Sequence, residues 1–179
     1  MPSLLVTLST ASILLCGAIF GFFYAWVCST MWGLDQADPR VAIAAMQAMN
    51  ASVRNIVFFP AFFLTPVAML TTAALAWLAG GRRSAGLFAG AAVVYLIGGL
   101  ALTLTINVPL NEALALQPDG LNFAEASRIW AEYSQPWQFW NQVRTGASGV
   151  SLLLATLGIL QLRRLGLVVH EPARAASAV

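Results

Sequence analysis

The chain has 179 residues, 59% of them hydrophobic and 9% charged, with a net charge of +2 in which every basic residue is arginine. Soluble domains carry about 25% charged residues, so this composition excludes an ordinary soluble globule and leaves no basic surface for a nucleic acid. Four runs lack any charge: Leu4–Trp32, Ile56–Leu78, Ser84–Ile106 and Thr145–Leu162. Each comes near to or exceeds the roughly 20 apolar residues that cross a bilayer core about 30 Å thick.

The expected fold is all-α: an integral membrane four-helix bundle forming a single domain over residues 1–165, with spans at about 4–32, 56–78, 84–106 and 143–162 and short extra helices in the two outer loops. The start, Met1-Pro2-Ser3, carries no basic residue, and the run behind it is about twice the apolar length of a signal peptide, so a cleaved leader is not expected. At about 1.5 Å per residue the first run is longer than the bilayer core, so it tilts or lifts Tyr24, Trp26 and Trp32 into the headgroup layer. Cys16 and Cys28 are about 18 Å apart along one helix, too far for a disulfide, and read as packing residues.

Asp38-Pro39 predicts an N-cap followed by proline in the first turn, opening a short helix from Pro39 to about Asn50. Pro60 and Pro66 predict a curved second span whose freed carbonyls need partners. Gly80-Gly81-Arg82-Arg83 is a tight turn between spans two and three. Pro109 predicts the end of span three near Asn107. The following segment holds a turn at Pro118-Asp119-Gly120 and a capping-box start at Asn122 with Glu125, and Ser134-Gln135-Pro136 predicts a fresh helix start. Glu125, Arg128 and Glu132 then share an ordinary solvated face. Gly17/Gly21, Gly86/Gly90 and Gly146/Gly149 suit close packing within the bundle. Residues 166–179 read as a flexible cytoplasmic tail.

An Arg82–Arg83 pair in the shortest loop and Arg163–Arg164 behind the last span place both termini in the cytoplasm and the protein in the cell membrane, in contact with lipid. The single histidine, His170, lies in the tail, which leaves no histidine set for a haem, a metal or a Ser-His-Asp triad; no metal is expected. A transporter is disfavoured because no run carries a charge.

The polar residues gather at the outer ends of the spans. Asn107 and Asn111 flank Pro109. Trp137, Trp140, Asn141 and Arg144 fall within an arc of about 100° on one helix face. Asn50, Arg54 and Asn55 precede span two, with Gln47 on the short helix before them. Together these groups can set two guanidiniums, several amides and indole rings at the top of an apolar cavity.

The Asn-Val-Pro-Leu-Asn stretch at 107–111 and the Trp-Gln-Phe-Trp-Asn-Gln-Val-Arg-Thr stretch at 137–145 resemble the anthrone oxygenase-like family of small four-span membrane proteins. The segment 45–50, with Pro60 and Phe62-Phe63 after it, is also similar to that family's first outer helix and second span. The resemblance implies cofactor-independent oxygenation of an anthrone, an apolar aromatic small molecule whose central CH₂ is acidic. Arg144, Asn141, Asn107 and Asn111 would then serve the developing enolate oxygen. Trp137 and Trp140 would stack on the substrate, and Arg54, Asn50, Gln47 and Tyr24 would contact it, with Glu112 or Tyr24 as base. The same cavity without a base describes a non-catalytic protein that binds an apolar molecule or lipid, or packs against a partner, and this alternative stays open at this point.

Overall fold

A computed structural model describes residues 2–164 and 166, which are helical with short connections and contain no strand. Five helices run in chain order: α1 (Ser3–Asp35), α2 (Pro39–Ser52), α3 (Phe58–Leu78), α4 (Arg82–Ala115) and α5 (Phe123–Arg164). All but α2 are long and apolar enough to cross a membrane. Each long helix packs against the next, and α5 closes the ring against α1, giving an antiparallel four-helix bundle. His170 and the tail expected over 166–179 lie, Gly166 apart, outside the described residues.

The local chemistry explains most element boundaries. The Asp38 side chain accepts the Arg40 backbone N–H at 2.9 Å and caps α2, with Pro39 in its first turn. Asn55 accepts the N–H groups of Val57 and Phe58 at 2.8 and 2.9 Å and so starts α3. Gly80 ends α3 at φ +83°, a conformation that costs glycine no steric clash. Asn122 and Glu125 cap α5 reciprocally, each side chain accepting the other's backbone N–H.

Two expected breaks are absent. Span three does not stop at Asn107; α4 continues through Pro109 to Ala115. The turn just before, Thr103–Asn107, is π-helical, and the Val108 N–H reaches back five residues to the Thr103 carbonyl. This wider winding draws carbonyls away from the incoming proline ring, so the helix survives. Pro136 likewise opens no new helix, because α5 is one rod of 42 residues. The carbonyl that Pro136 orphans belongs to Glu132, an exposed residue that water can serve.

Pro66 orphans the carbonyl of Phe62 inside the bundle, and the Tyr95 hydroxyl donates to that oxygen at 2.9 Å. Other interhelical bonds join Ser12 to Thr72 (3.2 Å), Ser84 to the Gly158 carbonyl and Ser151 to the Ala91 carbonyl, both at 2.8 Å. Of the expected glycine contacts, Gly149 serves one, under the Phe20 ring, and Gly90 just reaches Leu154. The tightest approaches lie elsewhere: Gly98 faces Ala147, and Gly158 faces the Phe88 ring. Two apolar cores result. One, around Cys16, Phe62, Met69, Phe88 and Tyr95, fills the bundle; the other, around Met31, Met46, Trp130, Tyr133 and Trp137, lies under α2.

Candidate functional site

The two cores meet at a cavity of about 240 Å³, enclosed by α1, the end of α2, the start of α3, α4 and α5. At about 30 Å³ per water molecule this is room for about eight waters. Much of its wall is aromatic, including Phe22, Phe23 and Trp26 from α1, Phe58 and Phe62 from α3, and Trp137 from α5. Polar groups come from Asn50, Arg54, Thr103, Asn111, Glu112 and Arg144.

Arg144 is 5% exposed, although it carries a full guanidinium. Its Nε donates to Asn141 Oδ1 at 2.9 Å, and Nη1 donates to Thr103 Oγ1 at 3.3 Å. Asn141 is itself fixed, since its Nδ2 donates to the Phe23 carbonyl at 3.2 Å, while Thr103 donates to the Gly99 carbonyl at 2.6 Å. The guanidinium carbon lies 4.3 Å from the Phe23 ring centroid and 4.9 Å from that of Trp137, held by two cation–π contacts. Among the described residues no carboxylate comes within salt-bridge distance of it. Of the five N–H groups of an arginine, two are used in these bonds, and the remainder belong to a side chain that lines the cavity. A buried cation without a counter-ion is costly, and an anionic oxygen in the cavity would neutralise it.

Above Arg144 the wall is braced by shared acceptors. Asn111 Oδ1 accepts from both Tyr133 Oη and Trp137 Nε1 at 2.8 Å, and Asn50 Nδ2 approaches Tyr133 Oη at 3.4 Å. Asn107 Nδ2 donates to the Trp137 carbonyl at 3.3 Å, while its buried Oδ1 has no partner among the described residues. The Asp35 carboxylate, at the end of α1, accepts from Trp130 Nε1 (2.9 Å), Ser134 Oγ (2.7 Å) and Gln138 Nε2 (2.8 Å). This clamp ties the end of α1 to α5 next to the π-helical turn Trp26–Thr30 and so sets Trp26 against Trp137, with ring centroids 5.2 Å apart. At the opposite rim Arg54 and Glu112 face each other at 3.8 Å, both well exposed.

Seven of the ten residues expected at the site come together. Arg144, Trp137, Asn111, Asn50 and Arg54 line the cavity, and Asn141 and Asn107 stand directly behind its wall. The other three are elsewhere. Gln47 bonds the carbonyls of Leu114 and Gln117 and fastens α2 to α4. Tyr24 is half exposed and stacks on Phe20, and Trp140 meets Phe139 edge-on. Of the two candidate bases, Glu112 lines the cavity and Tyr24 does not. The sequence assigns no site role to Phe22, Phe23, Phe58 or Thr103, and Phe62 enters it only through the family resemblance. Thr103 had a usable signal, because it precedes Asn107 by four residues and shares its helix face. Among the described residues no three His, Cys, Asp or Glu side chains form a metal cluster. The donors present, guanidinium and amide N–H, are a set that receives an anionic oxygen.

Bundle and cavity together define a small four-helix membrane protein with an aromatic pocket closed over a buried guanidinium. Residues 54–154 match the family model described as anthrone oxygenase, and the chain belongs to that family. Neither the curated proteins nor the solved structures provide a match to it.

Proposed function

We propose that the cavity binds an anthrone-type aromatic ketone and promotes its oxidation by O₂ to the anthraquinone. The observation that carries this reading is Arg144, a buried cation whose fixed partners among the described residues are neutral, beneath a slot of aromatic rings. In the ketone form an anthrone is apolar and fits such a slot. Loss of a proton from its central CH₂ puts negative charge on the ketone oxygen, and a guanidinium placed there is worth more to that enolate than to the neutral ketone. Stabilisation that grows along the reaction path is what accelerates it. Asn141 and Thr103 act as positioning residues that fix the plane of the guanidinium.

Glu112 is the proposed base, being the carboxylate that lines the cavity. The carbanion passes an electron to O₂, and a carbon–oxygen bond forms at the central carbon. The resulting hydroperoxide loses water to leave the second carbonyl, so one anthrone and one O₂ give one anthraquinone and one water. Both termini facing the cytoplasm would put the cavity at the outer end of the bundle.

The test is O₂ uptake by purified protein with anthrone, read beside anthraquinone formation. The expected result is matched consumption of the two reactants, lost in Arg144→Met. Tight binding of anthraquinone without any O₂ uptake would instead mark a binder, and neither binding nor uptake would overturn the reading.

A further inference from the structure

A second cavity, of about 450 Å³ and wider open than the first, lies between α1 and the start of α3. Phe22, Trp26, Met49, Val53 and Phe58 line both, so the two spaces are separated by a single layer of side chains. Two of these shared residues form a ring pair: the centroids of Phe22 and Phe58 are 5.0 Å apart and inclined at 51°, and neither side chain is fully buried. Rings held only by dispersion contacts can swing between rotamers without breaking a hydrogen bond. Four lining residues of the second cavity are exposed: the apolar Ala18 and Val57 on the bundle's exterior, Ser52 at the end of α2, and Asn55 in the connection before α3.

Depth supports an opening to lipid. Helix α3 has 21 residues, about 31 Å at the α-helical rise, which matches one bilayer core. Phe58 therefore marks one edge of the hydrocarbon, and the second cavity straddles that edge. By contrast, the first cavity's other rim is flanked by the charged Arg54 and Glu112. An apolar polycyclic ketone concentrates in the bilayer, so a path through water and past two charges is the poorer route.

We infer that the second cavity is a lateral portal through which a membrane-dissolved aromatic ketone reaches the Arg144 pocket, with Phe22 and Phe58 as its gate. The inference rests on the proposed function for the identity of the ligand. Because a gate raises or lowers the same barrier in both directions, it changes association and dissociation rates by one factor and leaves the equilibrium untouched.

The experiment uses protein in phosphatidylcholine vesicles and 9,10-anthraquinone as an unreactive probe, followed by stopped-flow quenching of Trp26 and Trp137. Ala18→Phe and Val57→Phe each add bulk at the mouth of the second cavity alone, at exposed positions where misfolding is not expected, and thermal unfolding checks the fold. The portal predicts that in at least one variant both rate constants fall together, about tenfold or more within the range that single changes produce, with Kd unchanged. Wild-type rates in both folded variants overturn the portal and leave the pocket standing. A lower affinity carried by faster dissociation also overturns it, since the second cavity would then be part of the binding site. No quenching in the wild-type protein overturns the ligand reading itself, and the portal with it.

Discussion

Replacing Arg144 by methionine separates a guanidinium kept for a ligand from one kept for the fold. The change removes two hydrogen bonds to a charged donor, each worth about 1.5–3 kcal/mol, and two cation–π contacts of about 1–2 kcal/mol each. It also leaves Asn141 Oδ1 without its partner, at about 1–3 kcal/mol. Against these losses stands the release of a buried, uncompensated charge, whose effective penalty is several kcal/mol. The losses total about 6–13 kcal/mol, but the lost Asn141 bond and its orphaned oxygen overlap, which favours the lower end. There the several kcal/mol of released charge penalty nearly offsets them, so stability should change by no more than about 2–3 kcal/mol in either direction. Ligand affinity has no such compensation. Losing a charge-assisted bond to an enolate or ketone oxygen in a dry site should weaken binding about 30- to 100-fold, or about 2–3 kcal/mol. Thermal unfolding in detergent micelles and anthraquinone titration of tryptophan fluorescence read the two quantities separately. Loss of more than about 4 kcal/mol of stability, with the affinity of any folded fraction intact, would refute the reasoning and make Arg144 a structural hub.

Five further changes, in four tests, probe the remaining parts. Glu112→Gln should abolish O₂ uptake with anthrone while anthraquinone binding stays within about twofold, because an exposed carboxylate removed from the rim costs little binding energy; full activity would remove it as base. Asp35→Ala orphans three donors of α5 and should cost about 2–4 kcal/mol in an unfolding experiment, against no more than about 0.5 kcal/mol for Arg128→Ala in the exposed Arg128–Glu132 pair. Gly98→Val should be destabilising by about 1–3 kcal/mol or more, because Ala147 already occupies the space that a side chain would need. Arg40 holds the Asp38 carboxyl down to about 2, from an ordinary 3.8. The cap's contribution is therefore full above about pH 4 and lost as pH falls towards 2, and Asp38→Asn should cap α2 without that pH dependence, as circular dichroism on acid titration can show.

The sequence carried the bundle because charge-free runs of bilayer length admit few other folds, and the caps at Asp38 and Asn122 because the groups that make them are adjacent in the chain. It carried the gathering of the polar groups for a related reason. Amides and arginines at the ends of apolar helices must meet when those helices pack, and Asn107, Asn111, Asn141 and Arg144 do. What it could not express is direction around a helix axis where every neighbour is apolar. Phe22 and Phe23 are consecutive, and one gates while the other lies beneath the guanidinium, yet nothing local distinguishes them from Phe20. Tyr24 and Trp140 failed for the mirror reason: an aromatic residue at the edge of an apolar run serves a surface as readily as a pocket. Pro109 and Pro136 misled because a proline's cost depends on the winding of the preceding turn and on what can serve the freed carbonyl, such as the π-turn before Pro109 or water at the exposed Glu132, whereas the partner that Pro66 requires is there in Tyr95.

The unbroken course of α5 has a consequence for how this protein meets its surroundings. Its 42 residues extend about 63 Å, roughly two hydrocarbon thicknesses. Arg144 stands 20 residues from the far end, about 30 Å, so a lipid slab of ordinary depth puts the guanidinium at its brink. Thinner or thicker lipids must tilt the rod or reshape themselves around it, and either response moves that residue relative to the solvent boundary. Chain length of the host lipid thus becomes a control on the proposed chemistry, one that can be varied without altering a single amino acid.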